Sequence, residues 1–243
     1  MALPEGLRSR LRGAQHVCVL TGSGISAESG VPTFREAQTG LWERYDPHEL
    51  ATPDAFRRDP ALVWRWYRWR REMVRGVEPN PGHYALVTLA GLLPRLTLVT
   101  QNVDGLHQRA GSTGVVEFHG NLFEDRCFDE GTVVDGADAD AEVPHCPECG
   151  GMLRPGVVWF GEAIPERAMN AAAEAIGDCD LFFSIGTSSL VWPAAGLAEA
   201  AREQGAGIVE INLDETPLSS RADFCLQGKS GAILPELVNC LVV

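Results

Sequence analysis

The sequence predicts an α/β protein: a parallel sheet with helices on both faces, interrupted by a helical insertion and a small cysteine-bearing module. Three observations predict it. Short apolar runs that read as buried strands alternate with helical patterns toward both ends of the chain. Each run ends in a polar, glycine-rich segment. One stretch in the middle breaks the alternation and gathers cysteines.

Residues 16–20 read as the first buried strand, and a helix opens within Thr21-Gly22-Ser23-Gly24-Ile25-Ser26-Ala27. Residues 36–80 are aromatic, arginine-rich and helical, punctuated by Pro47, Pro53 and Pro60. Residues 83–93 read as a helix. Residues 95–100 are a second strand, ending at Gln101-Asn102-Val103-Asp104-Gly105, and residues 114–118 a third, ending at His119-Gly120. Residues 121–156 form the inserted module, with no lysine or arginine between Arg126 and Arg154. The alternation then resumes: strand 180–186, helix 193–204, strands 207–213 and 222–226, helix 231–241. Ligands of such sheets bind beyond the carboxyl ends of the strands, so the polar segments after them should converge at one edge.

The 243 residues, 45% hydrophobic, suffice for one full core plus a smaller module. A net charge of −13 argues against nucleic acid as a partner. No 18-residue apolar run suggests a membrane span, and residues 1–12 lack a signal-peptide core, so a cytoplasmic location is expected. The seven cysteines should then be thiols or metal ligands. Cys18, Cys179, Cys225 and Cys240 read as core packing. The chain has one lysine, Lys229, against nineteen arginines, a bias that reads as codon composition.

Gly22-x-Gly24-x-x-Ala27, after a strand and before a helix, fits a dinucleotide-binding turn: the first glycine permits the turn and the second lets backbone amides approach a pyrophosphate. An ordinary structural turn is the plainer reading. Gly186-Thr187-Ser188 and Asn212, each after a strand, offer groups to ribose or phosphate. His119, at a strand end beside Asn102 and Asp104, has the setting of a general base. Cys127-x-x-Glu130 and Cys146-x-x-Cys149 have the spacing of a paired zinc knuckle, with Glu130 where a cysteine is expected. Glu130, His145 and Asp129 are the candidates for the fourth ligand.

Residues 61–75 read as an amphipathic helix. At about 100° per residue, Val63, Trp66, Tyr67, Arg70, Met73 and Val74 share one face, and Arg65, Arg68, Arg71 and Arg75 turn toward solvent. Arg70 therefore sits in the middle of an apolar face. A buried guanidinium requires a partner, either an internal carboxylate or a ligand.

The stretches around Thr21–Arg35, Thr100–His107, Phe118–Gly120, Leu153–Glu162, Gly186–Ser188 and Glu210–Leu213 together resemble the sirtuin family, in that family's order and over nearly the whole chain. The resemblance implies a Rossmann-like domain for NAD (1–35, 81–120 and 157–243), a helical insertion with an acyl pocket (36–80) and a zinc-ribbon-like module (121–156). It implies an enzyme that consumes NAD to remove acyl groups from lysines of other proteins, releasing nicotinamide and O-acyl-ADP-ribose. His119 matches the base. The implied cofactor contacts are Gly22, Ser23, Gly24, Ile25, Ala27, Glu28, Phe34, Arg35, Gln101, Asn102, Asp104, Gly186, Thr187, Ser188, Asn212, Leu213 and Ala232. Val158, Trp159, Phe160 and Gly161 match a strand that pairs with the substrate peptide. Ala51, Tyr67 and Arg70 look like the pocket of the sirtuins that prefer succinyl, malonyl and glutaryl groups. Two rival expectations use the same site: a mono-ADP-ribosyltransferase, and a non-catalytic sensor of NAD or ADP-ribose.

Overall fold

The computed structural model describes residues 3–32, 50–135 and 141–242. Its centre is a six-stranded sheet built from β1 (Val17–Thr21), β2 (Leu96–Thr100), β3 (Val116–Glu117), β7 (Leu181–Ile185), β8 (Gly207–Asn212) and β9 (Phe224–Gln227). The strand order is β3-β2-β1-β7-β8-β9, and every pairing is parallel. The order reverses between β1 and β7, so a crevice opens beyond their carboxyl ends.

Alternate residues of β1 feed opposite faces, as strand geometry requires. Val17 and Val19 join a core with helices α1 (Glu5–Gly13), α5 (Pro81–Leu92) and α9 (Ser230–Val242). Cys18 and Leu20 join a second core with α7 (Glu166–Gly177) and α8 (Leu197–Glu203). Helices α1 and α7 were not expected from the sequence. α1 is short, and α7 is alanine-rich: its buried stripe is Ala168, Ala172, Ala175 and Ile176, a weak apolar signal. The third strand is shorter than expected, because only Val116 and Glu117 pair with β2 before the chain turns into the next sheet.

That second sheet has the order β5-β4-β6, with β4 (Gly120–Cys127), β5 (Val133–Val134) and β6 (Leu153–Val157) all antiparallel. Against it lie α3 (Pro53–Arg58) and α4 (Pro60–Arg75). Asp59 caps α4 by accepting the Leu62 amide, and Pro60 fits the first turn, where no amide proton is needed. A third core joins these parts: Phe56, Trp64, Trp66 and Tyr67 pack with Cys127, Cys146, Leu153 and Trp159. Remaining elements are α2 (Ser23–Ala27) and α6 (Leu106–Ala110), both short and both at the crevice.

Two packing expectations need correction. Arg71 does not face solvent: its guanidinium donates to the Leu122 and Glu124 carbonyls and pairs with Asp125 at 2.7 Å, tying α4 to β4. Cys225 is exposed, because β9 is the edge strand and turns alternate residues outward. No helix among the described residues is long and apolar enough to cross a membrane.

Candidate active site

The two loops at the reversal point of the sheet touch. Gly22 N donates to Ile185 O at 2.9 Å, and Gly24 N to Gly186 O at 2.8 Å. A Cβ on Gly22 or on Gly24 would lie 2.7 Å from backbone atoms of Gly186. The glycines are thus required by the contact between the β1 and β7 loops, whatever ligand approaches them. Ile25 is buried beneath the turn, while Ser23, Gly24 and Ala27 are half-buried.

The loop after β2 is stitched to both. The Gln101 side chain donates to Thr187 Oγ1 at 2.9 Å. The Asn102 amide donates to Gly22 O at 3.0 Å and to Ser26 Oγ at 3.1 Å. Asp104 is buried and accepts the Leu106 amide at 2.9 Å. Burial pushes its carboxyl above the usual range; the Leu106 amide, the Ser26 hydroxyl and the Arg70 and Arg109 charges pull it back. Below this loop lie two buried imidazoles, His83 and His107, with ring centroids 4.9 Å apart. Burial lowers their pKa values to about 4 and about 3, so both are neutral at pH 7. His107 Nε2 bonds Thr21 Oγ1, which donates to Thr100 Oγ1, which in turn accepts the backbone N–H of Asn102.

His119 faces the same crevice. Its Nδ1 lies 3.1 Å from Gln101 O. A carbonyl only accepts, so Nδ1 carries the proton and Nε2 is the basic nitrogen. Burial lowers its pKa, against the opposing pull of the Gln101 carbonyl.

On the far side, Asn212 donates to Thr187 O at 2.8 Å, and Leu213 is exposed beside it. Ser188 is half-buried in the β7 loop. Glu28 is already engaged: its carboxylate accepts Ser230 Oγ at 3.0 Å and the Gly231 amide at 2.9 Å, at the start of α9 and next to Ala232.

The helical insertion brings Tyr67 and Arg70 against this edge. Tyr67 is buried and Arg70 half-buried. The Arg70 guanidinium lies 4.9 Å from the Trp66 ring centroid and 5.5 Å from that of Tyr67. Burial lowers the Arg70 pKa, while Tyr67 and the Asp104 carboxylate raise it. Ala51 is buried, and its carbonyl accepts the Phe160 amide at 2.9 Å. Val158 N donates to His119 O at 2.8 Å, which fastens the segment to the crevice. Residues 158–161 are not a strand: β6 stops at Val157, Phe160 N turns to Ala51, and Gly161 has a φ of +85°. Trp159 points inward and is buried, with Nε1 donating to the Tyr67 hydroxyl at 2.8 Å.

The sulfurs of Cys127, Cys146 and Cys149 lie within 4.8 Å of one another. Backbone amides of Glu130 and Gly151 point at Cys127 Sγ and Cys149 Sγ, each at 3.4 Å, as donors that stabilise thiolates. This donor set fits Zn²⁺. Glu130 supplies its amide to the cluster; its carboxylate is outside the group of three. His145 Nδ1 is taken by Gly150 O at 2.9 Å. The Asp129 carboxylate occupies the space where a side chain on Gly151 would stand, 2.2 Å from that Cβ position, with Cys149 Sγ 3.3 Å from the same point.

A sequence model described as the Sir2 family matches residues 22–193. The chain belongs to the Sir2 family. A protein of Methylococcus capsulatus named NAD-dependent protein deacylase is 49% identical, over 99% of this chain and 98% of its own length. One of Pyrobaculum aerophilum, named NAD-dependent protein deacylase 2, is 52% identical over 94% of this chain and 92% of its own. The crystal structure of a Sir2 homologue–NAD complex superposes with a TM-score of 0.93 at 44% identity, covering 99% of this chain and 94% of that one. A Sir2 protein bound to acetylated peptide matches with a TM-score of 0.85 at 30% identity, covering 98% of each chain.

Within this Sir2 chain, the crevice gathers the expected segments after β1, β2, β3, β7 and β8. Phe34 and Arg35 lie outside the described residues. Sequence reasoning missed three relationships. They are the Glu28 bonds to the start of α9, the charge influence of Asp104 on Arg70, and the Trp159–Tyr67 bond. All three join residues far apart in the chain, with no local pattern to announce them.

Proposed function

We propose that this chain is an NAD-dependent protein lysine deacylase that prefers acidic acyl groups, succinyl and malonyl, over acetyl. The relatives' names and their complexes with NAD and acetylated peptide support the reaction class. The observation that carries the reading is the arrangement of His119: Nδ1–H fixed on Gln101 O, and Nε2 free as a base at the crevice.

NAD supplies an electrophilic ribose carbon with nicotinamide as leaving group. The Gly22–Gly24 turn lets the chain at the start of α2 come close to the pyrophosphate, with Ser23, Ile25 and Ala27 alongside. Thr187, Ser188, Asn212, Leu213 and Ala232 line the adenosine side, and Glu28 shapes it by anchoring α9. Gln101, Asn102 and Asp104 line the nicotinamide–ribose side. His119 removes a ribose hydroxyl proton through Nε2, and its Nδ1–H stays bonded to Gln101 O as the ring becomes charged. Residues 158–161 offer backbone to an acyl-lysine peptide. Arg70 and Tyr67 meet the acyl tail, where a terminal carboxylate takes charge-assisted bonds that acetyl lacks. Cys127, Cys146 and Cys149 would hold a structural zinc.

The test is mass spectrometry of products from acetyl-, succinyl- and malonyl-lysine peptides incubated with NAD. The proposal expects free-lysine peptide, nicotinamide and O-acyl-ADP-ribose. Peptide that keeps its acyl group and gains ADP-ribose would identify a mono-ADP-ribosyltransferase instead. Binding of NAD with no turnover would identify a sensor.

A further inference from the structure

We propose that Trp159, gripped by the Arg154–Glu162 ion pair, is a positioning residue that sets the Tyr67 hydroxyl as the donor to an acyl carboxylate; the inference rests on the acidic-acyl reading above and deepens it.

The grip is dense. Arg154, on β6, is buried and pairs with Glu162 through its two terminal guanidinium nitrogens, Nη1 and Nη2. It also donates to Val157 O at 2.7 Å. Its Cζ lies 3.4 Å from the centroid of the Trp159 ring, a stacked cation–π contact. Glu162 Oε2 accepts the Trp159 backbone amide at 2.8 Å. The indole is thereby held at its backbone and across its face, and Phe56 closes on it at 5.4 Å between centroids. The ring has one polar atom, at its far end.

That far end is the Nε1–H, which donates to Tyr67 Oη at 2.8 Å. An indole N–H only donates, so Tyr67 is the acceptor here. The Arg70 guanidinium also lies against this oxygen as a donor, so the O–H turns away from both the indole and Arg70. The neighbour one helical turn along α4 is Arg70, which has no lone pair to accept it. Among the described residues nothing accepts the Tyr67 proton, and burial keeps that proton on the oxygen by raising the phenol pKa. A buried donor without an acceptor is costly, and one that also receives a hydrogen bond is polarised to donate more strongly. An acyl tail ending in a carboxylate supplies the missing acceptor beside the Arg70 charge. An acetyl methyl group does not. Trp159 thus favours acidic tails without touching their carboxylate.

The experiment compares kcat/KM for succinyl- and acetyl-lysine peptides in wild type, Trp159→Phe, Tyr67→Phe and the double variant. Trp159→Phe keeps a ring and deletes the donor. It should lower the succinyl-to-acetyl ratio about three- to tenfold, mainly through the succinyl KM. In the Tyr67→Phe background the same substitution should leave the ratio unchanged, because there is no hydroxyl left to orient. Glu162→Gln, which loosens the grip, should shift the ratio the same way by less, and it serves if Trp159→Phe does not fold. A wild type that prefers succinyl, with the ratio unmoved by Trp159→Phe, overturns the positioning role and leaves the acidic-acyl reading standing. An equal fall in both backgrounds also overturns it. A wild type with no succinyl preference overturns both.

Discussion

His119 Nδ1 sits 3.1 Å from the carbonyl oxygen of Gln101, and this one bond fixes which ring nitrogen is the base. His119→Ala should reduce kcat about 10²- to 10⁴-fold while NAD still binds, since a positioned base is worth that much. Turnover and NAD titration calorimetry check it. Near-normal turnover would remove His119 from the reaction.

Burial lowers the His119 pKa from its ordinary 6.5, so the base is already deprotonated at neutral pH. The acid limb of kcat/KM against pH should therefore fall below pH 6.5, and activity should be flat between pH 7 and 8. A limb above pH 7 would mean that another group governs the rate.

His83 and His107 link the site to stability. Their folded pKa values are about 4 and about 3, below the unfolded value near 6.5. The unfolded chain binds protons first as pH falls, so stability is full above pH 6.5 and is lost on the way down toward pH 4 and 3. Between pH 6.5 and 5 the loss is about 2 kcal/mol per histidine. Asp104, with its pKa raised by burial, contributes in the opposite direction as the pH falls toward the ordinary carboxylate range. Urea unfolding at pH 7 and pH 5 measures the balance; unchanged stability would contradict the neutral buried pair.

The parallel sheet and its polar carboxyl edge were legible because short apolar runs and glycine turns are local signals. The metal knuckles were legible through spacing. Helix α7 was not, since its buried stripe is alanine. The fourth-ligand expectation for Glu130 came from spacing alone, and the turn after Cys127 presents the Glu130 amide, not its carboxylate, to sulfur. Arg71 read as a solvent residue by helical angle, yet β4 packs over it and claims its guanidinium. Long-range packing decides such positions, and periodicity does not report it.

Elemental analysis should find about one zinc per chain. Cys127 and Cys146 share a core with Tyr67 and Trp159, so chelation should lower the melting temperature and loosen the acyl side of the crevice. Cys146→Ala should lose the metal, and Glu130→Ala should keep it. Metal-free protein with unchanged melting would contradict a structural zinc, and metal loss in Glu130→Ala would restore that carboxylate as a ligand.

The account's central claim is that an NAD-consuming site reads the charge of the acyl tail through Arg70. Its most direct test is kcat/KM for succinyl- and acetyl-lysine peptides in wild type and Arg70→Met. The account predicts that wild type prefers succinyl by roughly 10- to 150-fold. It predicts that Arg70→Met loses most of that preference while deacetylation is spared or raised. An equal fall for both peptides would contradict it and make Arg70 a structural partner of Asp104.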